Sequence, residues 1–507
     1  MAKGKLIVCS GVLSIIAAFL LIIATVAAGK QGVLRAIPNL NASVDGWFTV
    51  ADLDGTWENS SATLIDLSRR HGETWSGGYW SKDGNLHIVQ GGRYALSGIL
   101  ENSSIVIEAG KDDNVWILLD GVTVHREDSA ALRIEQAGKV FLTLASNTKN
   151  DFSDGGRYND EDIAAGVDGV LYARDNLTIN GDGMLTITSV EGHGIVCNDN
   201  LILAGGTVNV LAGRDGIHAH DSARFTGVNL TVNARYDGIS AKSDQQDGYI
   251  YVKDGNITIP TCYEGLEAVQ VIIDGGNIDI RSRDDGINAP GWGAANDIRI
   301  QGGKTQIINR SGRDADGFDS NKDVHITGGE IYISVPNDGS SNGIDFGAEG
   351  GGVLKIDGGT IVACGSSGMA DRASTTSEQA SILVNFTPYA RAESPVILLD
   401  AMGKEILRWD NVPLAFNSVL MSSPLMDWGK TYTLIIGNMR KEVITPSQLG
   451  TAAKVGSETL SVVTPSINTG KESPKPMVVT SEMIVDIAFW TSILLAGIAV
   501  AIVSKRR

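Results

Sequence analysis

Between Asp168 and about Ala370 one short phrase keeps returning: an acidic or amide residue, then glycine, then an apolar residue. It reads Asp168-Gly169-Val170, Asp215-Gly216-Ile217, Asp237-Gly238-Ile239, Glu264-Gly265-Leu266, Asp285-Gly286-Ile287, Asp316-Gly317-Phe318 and Asn342-Gly343-Ile344. His193-Gly194-Ile195 stands in the same series without its acid. Neighbouring copies begin 21 to 31 residues apart. Self-similarity at that period marks a solenoid, in which each coil buries its apolar face only by stacking on the next.

Within each period the layout is constant: a short alternating strand, a glycine turn, then a second alternating strand. The clearest copy runs Val271-Ile272-Ile273, Asp274-Gly275-Gly276, Ile278-Asp279-Ile280. The order recurs at Val324/Ile326, Gly328-Gly329 and Ile331/Ile333, and again at Leu354/Ile356, Gly358-Gly359 and Ile361. Alternation with period two puts Ile, Val and Leu on one face of a strand and polar residues on the other. Two or three such strands per turn, joined at glycines that tolerate positive φ, predict an all-β fold, a parallel β-helix. The 61 glycines among 507 residues suit a chain with many tight corners.

Charge narrows the function. The net charge of −18 argues against nucleic acid, whose binders carry basic patches. An acidic surface also repels a polyanionic substrate unless a cation intervenes. Four cysteines, with Cys9 in an apolar N-terminal run and Cys197, Cys262 and Cys364 scattered, do not make a disulfide framework; small buried thiols fit better.

Six segments follow from the pattern. Residues 1–30 read as a signal peptide or N-terminal anchor: Lys3 and Lys5 precede an uncharged apolar run, Leu6 to Ala28. Residues 31–84 form an aromatic-rich cap with Trp47, Phe48, Trp57, Trp75, Tyr79 and Trp80. Residues 85–370 are the β-helix, 371–444 a β cap that closes its open edge, and 445–480 a Ser/Thr/Pro-rich stalk. Residues 481–507 read as a transmembrane helix followed by Lys505-Arg506-Arg507, which places the C-terminus in the cytoplasm and the β-helix outside the cell. The expected state is a monomer tethered to a membrane.

The run from Gly92 through Met369 resembles the calcium-binding, carbohydrate-binding right-handed parallel β-helix proteins of bacterial surfaces, which are pectate-lyase-like in shape. The resemblance rests on "GGRYALSGILENSSIVIEAGKDDNVWILLDGVTV", on the "DGIHAHDS…DGISAKSD" coils and on the closing "GGTIVACGSSGMA". It covers more than half the chain. It implies a right-handed helix that binds cellulose or an acidic polysaccharide such as polygalacturonate, with bound Ca²⁺.

The residues themselves point to a cation. Stacked coils lie about 4.8 Å apart, so in-phase acids at Asp215, Asp237, Glu264, Asp285 and Asp316 form a carboxylate ladder on one edge. Like charges at that distance repel by about 1 kcal/mol per pair in water and several-fold more when shielded from it. Such a ladder needs raised pKa values or a hard cation, and Ca²⁺ takes 6–8 oxygen ligands of this kind. Further acids sit beside it: Asp284, Asp314, Glu267, Asp319 and Asp345. For a single copy, Asp-Gly also makes a good turn, with Asp bonding its own backbone and Gly left-handed. Five acids in phase favour the cation. The longer connections after Gly238 and Gly286 are places where the ladder's register could vary.

Other chemistry is less well supplied. A calcium-dependent lyase needs a Lys or Arg base beside the metal. Lys242, Lys322, Arg283 and Arg313 lie in suitable coils, but each also fits as a counter-charge to neighbouring acids. A glycoside hydrolase needs two opposed carboxylates, which a one-edge ladder does not offer. His218 and His220 share a strand face, yet no cysteine or third histidine joins them at ligand spacing, so with His193 they read as surface polar groups. Tyr236, Tyr263 and Trp292 beside the ladder, and Trp75 and Trp80 in the cap, suit stacking on sugar faces. The combined expectation is a surface polysaccharide-binding protein with a Ca²⁺-loaded acidic edge; a lyase and a structural adhesin or stalk are the alternatives.

Overall fold

The computed structural model describes residues 43–445, apart from 58–61, 70–73, 76, 82–83, 243–247, 292–295 and 311–312, together with 458–459. Both apolar runs near the termini, and with them the expected signal segment and terminal transmembrane helix, lie outside the described residues. Among those described, no helix is long and apolar enough to cross a membrane. The chain divides into two compact units, Met1–Ala51 and Asp52–Arg507. The described part of the first is a turn closed by a bridge between Ser43 and Thr49.

The second unit is a parallel β-solenoid. Its repeating phrase opens the strands of one 12-stranded sheet, which ends with Gly169–Ala173, His193–Cys197, Ile217–Ala219, Ile239–Ala241, Leu266–Ala268, Ile287–Ala289 and Phe318–Ser320. A second, 20-stranded sheet carries the other two strands of each coil. Asn200–Ala212 runs unbroken through the corner between them, pairing first with Ser222–Phe225 and then with Asn229–Ala234. Each coil in this region therefore has three strands.

Register is set by what faces inward. Ile195, Ile217, Ile239, Leu266, Ile287 and Phe318 pair in succession, and every one is fully buried. Each such side chain contributes roughly 1.5–3 kcal/mol of burial, and a slip of one residue would turn the whole column outward. This outweighs differences in loop length. The connections after Gly238 and Gly286 are long, yet Ile239, Leu266, Ile287 and Phe318 stay in step, so the expected variation of register does not occur. One copy is displaced: Gly169 pairs with His193 and Leu171 with Ile195, so the Asp168 phrase sits one residue out of phase with the rest.

Two kinds of glycine do different work. At the second corner Gly276, Gly303, Gly329 and Gly359 have φ between +73° and +90°, which favours glycine. The phrase glycines are not left-handed, contrary to the turn expected of Asp-Gly. They are needed for space. A methyl group on Gly238 would come within 2.7 Å of the Gly265 carbonyl oxygen and 2.8 Å of Ile259. That glycine lets the facing strand pack directly against the seam.

The ends are covered. Thr63–Asp66 pairs parallel with Gly92–Glu101, and Trp80 is half-buried against the first coils of the core. Past Leu354–Gly365 the pairing turns antiparallel, with Phe416–Ser422 and then Ser381–Ala390. A four-stranded antiparallel sheet of Val396–Leu399, Glu405–Trp409, Thr431–Ile436 and Met439–Ile444 follows, with a separate core around Ile382, Phe416, Met421 and Leu434. Cys197, Cys262 and Cys364 are free and buried, and burial pushes the Cys197 thiol up to about 12.

Gly238→Ala should destabilise the protein by about 1–3 kcal/mol through overpacking, read as a lower midpoint in urea unfolding. Gly276→Ala tests the other mechanism, since its φ of +84° strains any side chain. A Gly238→Ala protein as stable as the parent would show that the seam does not need the close approach.

Candidate functional site

The phrase residues stand over one another in a single column: His193, Asp215, Asp237, Glu264, Asp285, Asp316 and Asn342. Each lies two positions before an inward residue of the register just described. Their backbones are tied rung to rung, as in Gly216 N–H to Asp237 O (2.9 Å), Gly238 N–H to Glu264 O (2.8 Å) and Gly286 N–H to Asp316 O (2.9 Å). The side chains add to this. Asp215 accepts from the Asp237 amide (3.2 Å) and Asp285 from the Asp316 amide (2.7 Å). Each of these acids thus bonds the next rung's backbone rather than its own.

A second column runs beside the first, one position past the inward residue: Val196, His218, Ser240, Glu267, Asn288 and Asp319. Where both columns carry ligand-type side chains, the same three-cornered arrangement forms. It takes the first-column residue of one rung and both residues of the next. It occurs as His193/Asp215/His218, Asp237/Glu264/Glu267 and Asp285/Asp316/Asp319, and within each set the ligand atoms lie within 4.8 Å of one another. Ser240 and Asn288 occupy the second column in the intervening rungs, so the sets fall on alternate rungs.

The three sets are balanced differently. In the first, burial pushes the Asp215 carboxyl up, but the hydrogen bond from His218 and the charges of His193 and His218 outweigh it and hold it below its usual value. In the second, Lys242 supplies the positive charge. Its Nζ lies 3.4 Å from Asp237 Oδ2 and closer still to Glu267. Burial and the neighbouring acids still push Asp237 up to about 8 and Glu264 up to about 7, while Asn288 Nδ2 donates to Glu264 at 3.0 Å.

The third set has no such partner: no ion pair to Asp285, Asp316 or Asp319 occurs among the described residues. Burial raises all three first, and carboxylates nearby raise them further. Asp285 reaches about 9, with Asp319, Asp316 and Asp284 adding to it. Asp316 reaches about 8, and Asp319 about 6. Two buried amide oxygens flank the set without a hydrogen-bond partner: Asn288 Oδ1 in the second column and Asn342 Oδ1 in the first. The three carboxylates make an all-oxygen donor set, which fits a hard divalent cation such as Ca²⁺.

The residue before each phrase forms an outer column, Arg214, Tyr236, Tyr263 and Asp284, linked by Tyr263 N–H to Tyr236 O (2.7 Å) and Asp284 N–H to Tyr263 O (2.9 Å). Tyr236 and Tyr263 are exposed on adjacent rungs beside the second set. Arg283 lies over the Tyr263 ring at 5.9 Å, and a hydrogen bond to Asp284 helps push the Tyr263 hydroxyl up to about 12. Trp292 lies outside the described residues. Trp75 and Trp80 belong to the other end of the same sheet; Trp80 is six strands from Ile217–Ala219, about 30 Å at the usual strand spacing, so the fold does not bring it to the seam.

His193 is the main residue that sequence reasoning passed over. It is buried and stands directly above Asp215 and His218, with the two imidazole centres 5.1 Å apart. His220, which shares a strand face with His218 in the sequence pattern, instead pairs with Asp221 at 2.9 Å. The signal was present: His193 occupies the acid's place in the repeat, so its neighbours are one coil away rather than two residues away.

A family model of carbohydrate-binding domain-containing proteins matches residues 82–362. A carbohydrate-binding domain-containing protein of Acetivibrio thermocellus is 32% identical over 128 residues, which is 25% of this chain and 45% of that protein, so the chain spans less than half of that relative. A solved structure of a polysaccharide lyase-like protein from C. thermocellum, a gadolinium derivative, aligns over 58% of this chain and 95% of its own, at 23% identity and a TM-score of 0.39.

The raised acids make stability depend on pH in a definite direction. Asp285 and Asp316 bind protons in the folded state up to about pH 9 and 8, while an unfolded Asp releases its proton near pH 4. The folded state therefore holds more protons across that window, and stability falls as pH rises through it. In chelator, the unfolding midpoint should decline from pH 5 to 9, and Asp285→Asn should flatten the decline. A midpoint that rises with pH over this range would contradict the assigned electrostatics.

Proposed function

Since the chain belongs to the carbohydrate-binding domain-containing proteins, we propose that it is a polysaccharide-binding protein whose seam grips an acidic glycan through Ca²⁺ held by Asp285, Asp316 and Asp319. The observation that carries this reading is the third set: Asp285 and Asp316 buried and Asp319 partly so, all-oxygen and without a counter-charge among the described residues. Ca²⁺ there would relieve the repulsion among the carboxylates and leave coordination positions for a uronate. It would also reconcile an acidic protein, net charge −18, with an acidic ligand.

Tyr236 and Tyr263 supply a complementary surface. Two exposed rings on adjacent rungs offer flat apolar faces next to buried polar groups, which suits a sugar ring that is apolar on one face and wet at its rim. Asp284, next in that column, adds charge at the Asp285 end of the platform. Asp215, Asp237, Glu264 and Glu267 complete the acidic edge, but Lys242 already compensates the middle set.

The reading is of binding without cleavage. A lyase base must be able to accept a proton, and Lys242 is poorly suited. Burial works against its charge, but the hydrogen bond and charge of Glu267, with Asp237, more than offset this and raise its pKa above the usual lysine value. It is a fixed ammonium that neutralises carboxylates. In the full protein, the apolar runs 6–28 and 483–503 are proposed to serve export and C-terminal anchoring, with the β-helix at the cell surface and the C-terminus in the cytoplasm.

Retention on polygalacturonate and on cellulose, each with calcium and with chelator, tests the proposal. The expected result is calcium-dependent retention on polygalacturonate that is weakened at least tenfold by Asp316→Asn, with no absorbance of unsaturated products. Retention that chelator does not change would remove calcium from the reading. A calcium-dependent rise in unsaturated product would make the protein a lyase, and no retention on either glycan would leave a structural adhesin or stalk.

A further inference from the structure

We propose that His193, Asp215 and His218 form a separate site for a borderline divalent metal of the Zn²⁺ type, clamping two adjacent rungs of the solenoid. The donor set is two imidazole nitrogens and one carboxylate oxygen. That combination suits zinc and its neighbours, whereas calcium and magnesium favour oxygen alone. It therefore differs in kind from the all-oxygen set four rungs further along the same column.

Two of the three spacings already match. His193 Nδ1 lies 3.4 Å and His218 Nδ1 3.0 Å from the same atom, Asp215 Oδ2. Ligands held about 2.0–2.1 Å from a tetrahedral zinc are separated from one another by roughly 3.3 Å. The third spacing is no more than 4.8 Å, so the set is open and would draw in around an ion.

Protonation is also arranged for it. His193 Nδ1 accepts from the Asp215 backbone N–H at a long 3.2 Å, so that nitrogen carries the lone pair. Its proton then sits on Nε2, which faces Asp168 Oδ2 at 3.5 Å. Arg214 Nη1 holds the same Asp168 oxygen at 3.0 Å. A carboxylate on the far nitrogen of a ligating histidine fixes its tautomer and ring orientation, which is the usual outer support of a zinc ligand. Asp215 Oδ2 in turn accepts from His218 Nδ1 at 3.0 Å, and a metal would take the place of that proton, which a histidine gives up on ligation. An ion there would be held by His193 Nδ1, Asp215 Oδ2 and His218 Nδ1 together.

The Asp168 displacement in the fold now has a use. Its phrase is one residue out of phase, and its carboxylate supports His193 from outside instead of entering the column. The site is open on one side only. His193 and Asp215 are buried, while the His218 side chain is 34% exposed, leaving a fourth position to water or to an oxygen of a bound ligand.

The test uses full-length, untagged protein stripped with chelator and titrated with Co²⁺ and then Zn²⁺. One equivalent of Co²⁺ should bind with the intense visible absorption of a tetrahedral ion, and Zn²⁺ should displace it. His218→Asn, at a half-exposed position that a folded protein tolerates, should weaken Co²⁺ binding by at least tenfold. Asp168→Asn should weaken it by about 10- to 100-fold, as loss of an outer support does. His220→Asn, at a neighbouring histidine outside the set, should leave it unchanged. Circular dichroism confirms that each variant is folded. Absence of saturable Co²⁺ binding, an octahedral spectrum, or binding that survives His218→Asn would overturn the proposal. Its failure would leave the calcium reading intact, because that reading is tested by glycan retention and by Asp316→Asn.

Discussion

Stacking identical positions about 4.8 Å apart is the constraint on which the rest of this structure depends. Inside the coils it is favourable. Ile217, Ile239, Leu266, Ile287 and Phe318 pack one on another and remove their surfaces from water. On the seam the same repetition brings carboxylates within a few ångströms, where each pair costs about 1 kcal/mol in water and several times that when buried. The core cannot stack without stacking the acids as well. Each seam acid must therefore be balanced locally, and the chain does so by three different means: imidazoles at the first set, an ammonium at the second, and proton uptake or a cation at the third.

The glycine that follows each seam residue connects packing to electrostatics. At Gly238 the absence of a side chain lets Ile259 approach the seam, which keeps the corner narrow. A narrow corner buries its first residue, so Asp237, Asp285 and Asp316 are each at most 8% exposed although they sit on the outer edge of a coil. Burial is in turn the largest cause of their raised pKa values. The Asp-Gly order thus acts as a device for placing a carboxylate in a dry position at a strand edge. Reading it as a turn accounts for neither the absence of a left-handed glycine nor the hydrogen bonds from the next rung's amide.

Much of the fold was legible because a solenoid writes its geometry into its period. The phrase, the alternation and the Gly-Gly corners locate two or three strands per coil, and the in-phase acids locate a seam. Contacts between rungs were harder to read. Alternation tells which face a side chain occupies, but His193 and Lys242 act on residues of neighbouring coils, 22 and 25 positions away. His193 looked like a lost acid and proved to be a buried neighbour of Asp215. Asp168 opens the first copy of the phrase yet lies outside the column, since Leu171 rather than Val170 takes the place beside Ile195. A one-residue offset of this kind depends on packing in the adjacent coil, which no local pattern contains.

The second column explains why the seam divides into discrete sets. Acids in both columns at every rung would leave each carboxylate with like-charged neighbours on all sides. Ser240 and Asn288 break that continuity, and the sets repeat every second rung, about 10 Å apart. That distance is comparable to the Debye length at physiological salt, so exposed charges in one set are weakly felt by the next, although the buried acids are screened less. Electrostatic separation lets each set answer to its own substitution pattern. A change of one side chain, Asp to His in the first set or His to Lys beside the second, alters the balance at that set while leaving the apolar column that holds all of them in register. The solenoid can therefore diversify its seam chemistry rung by rung without altering its fold.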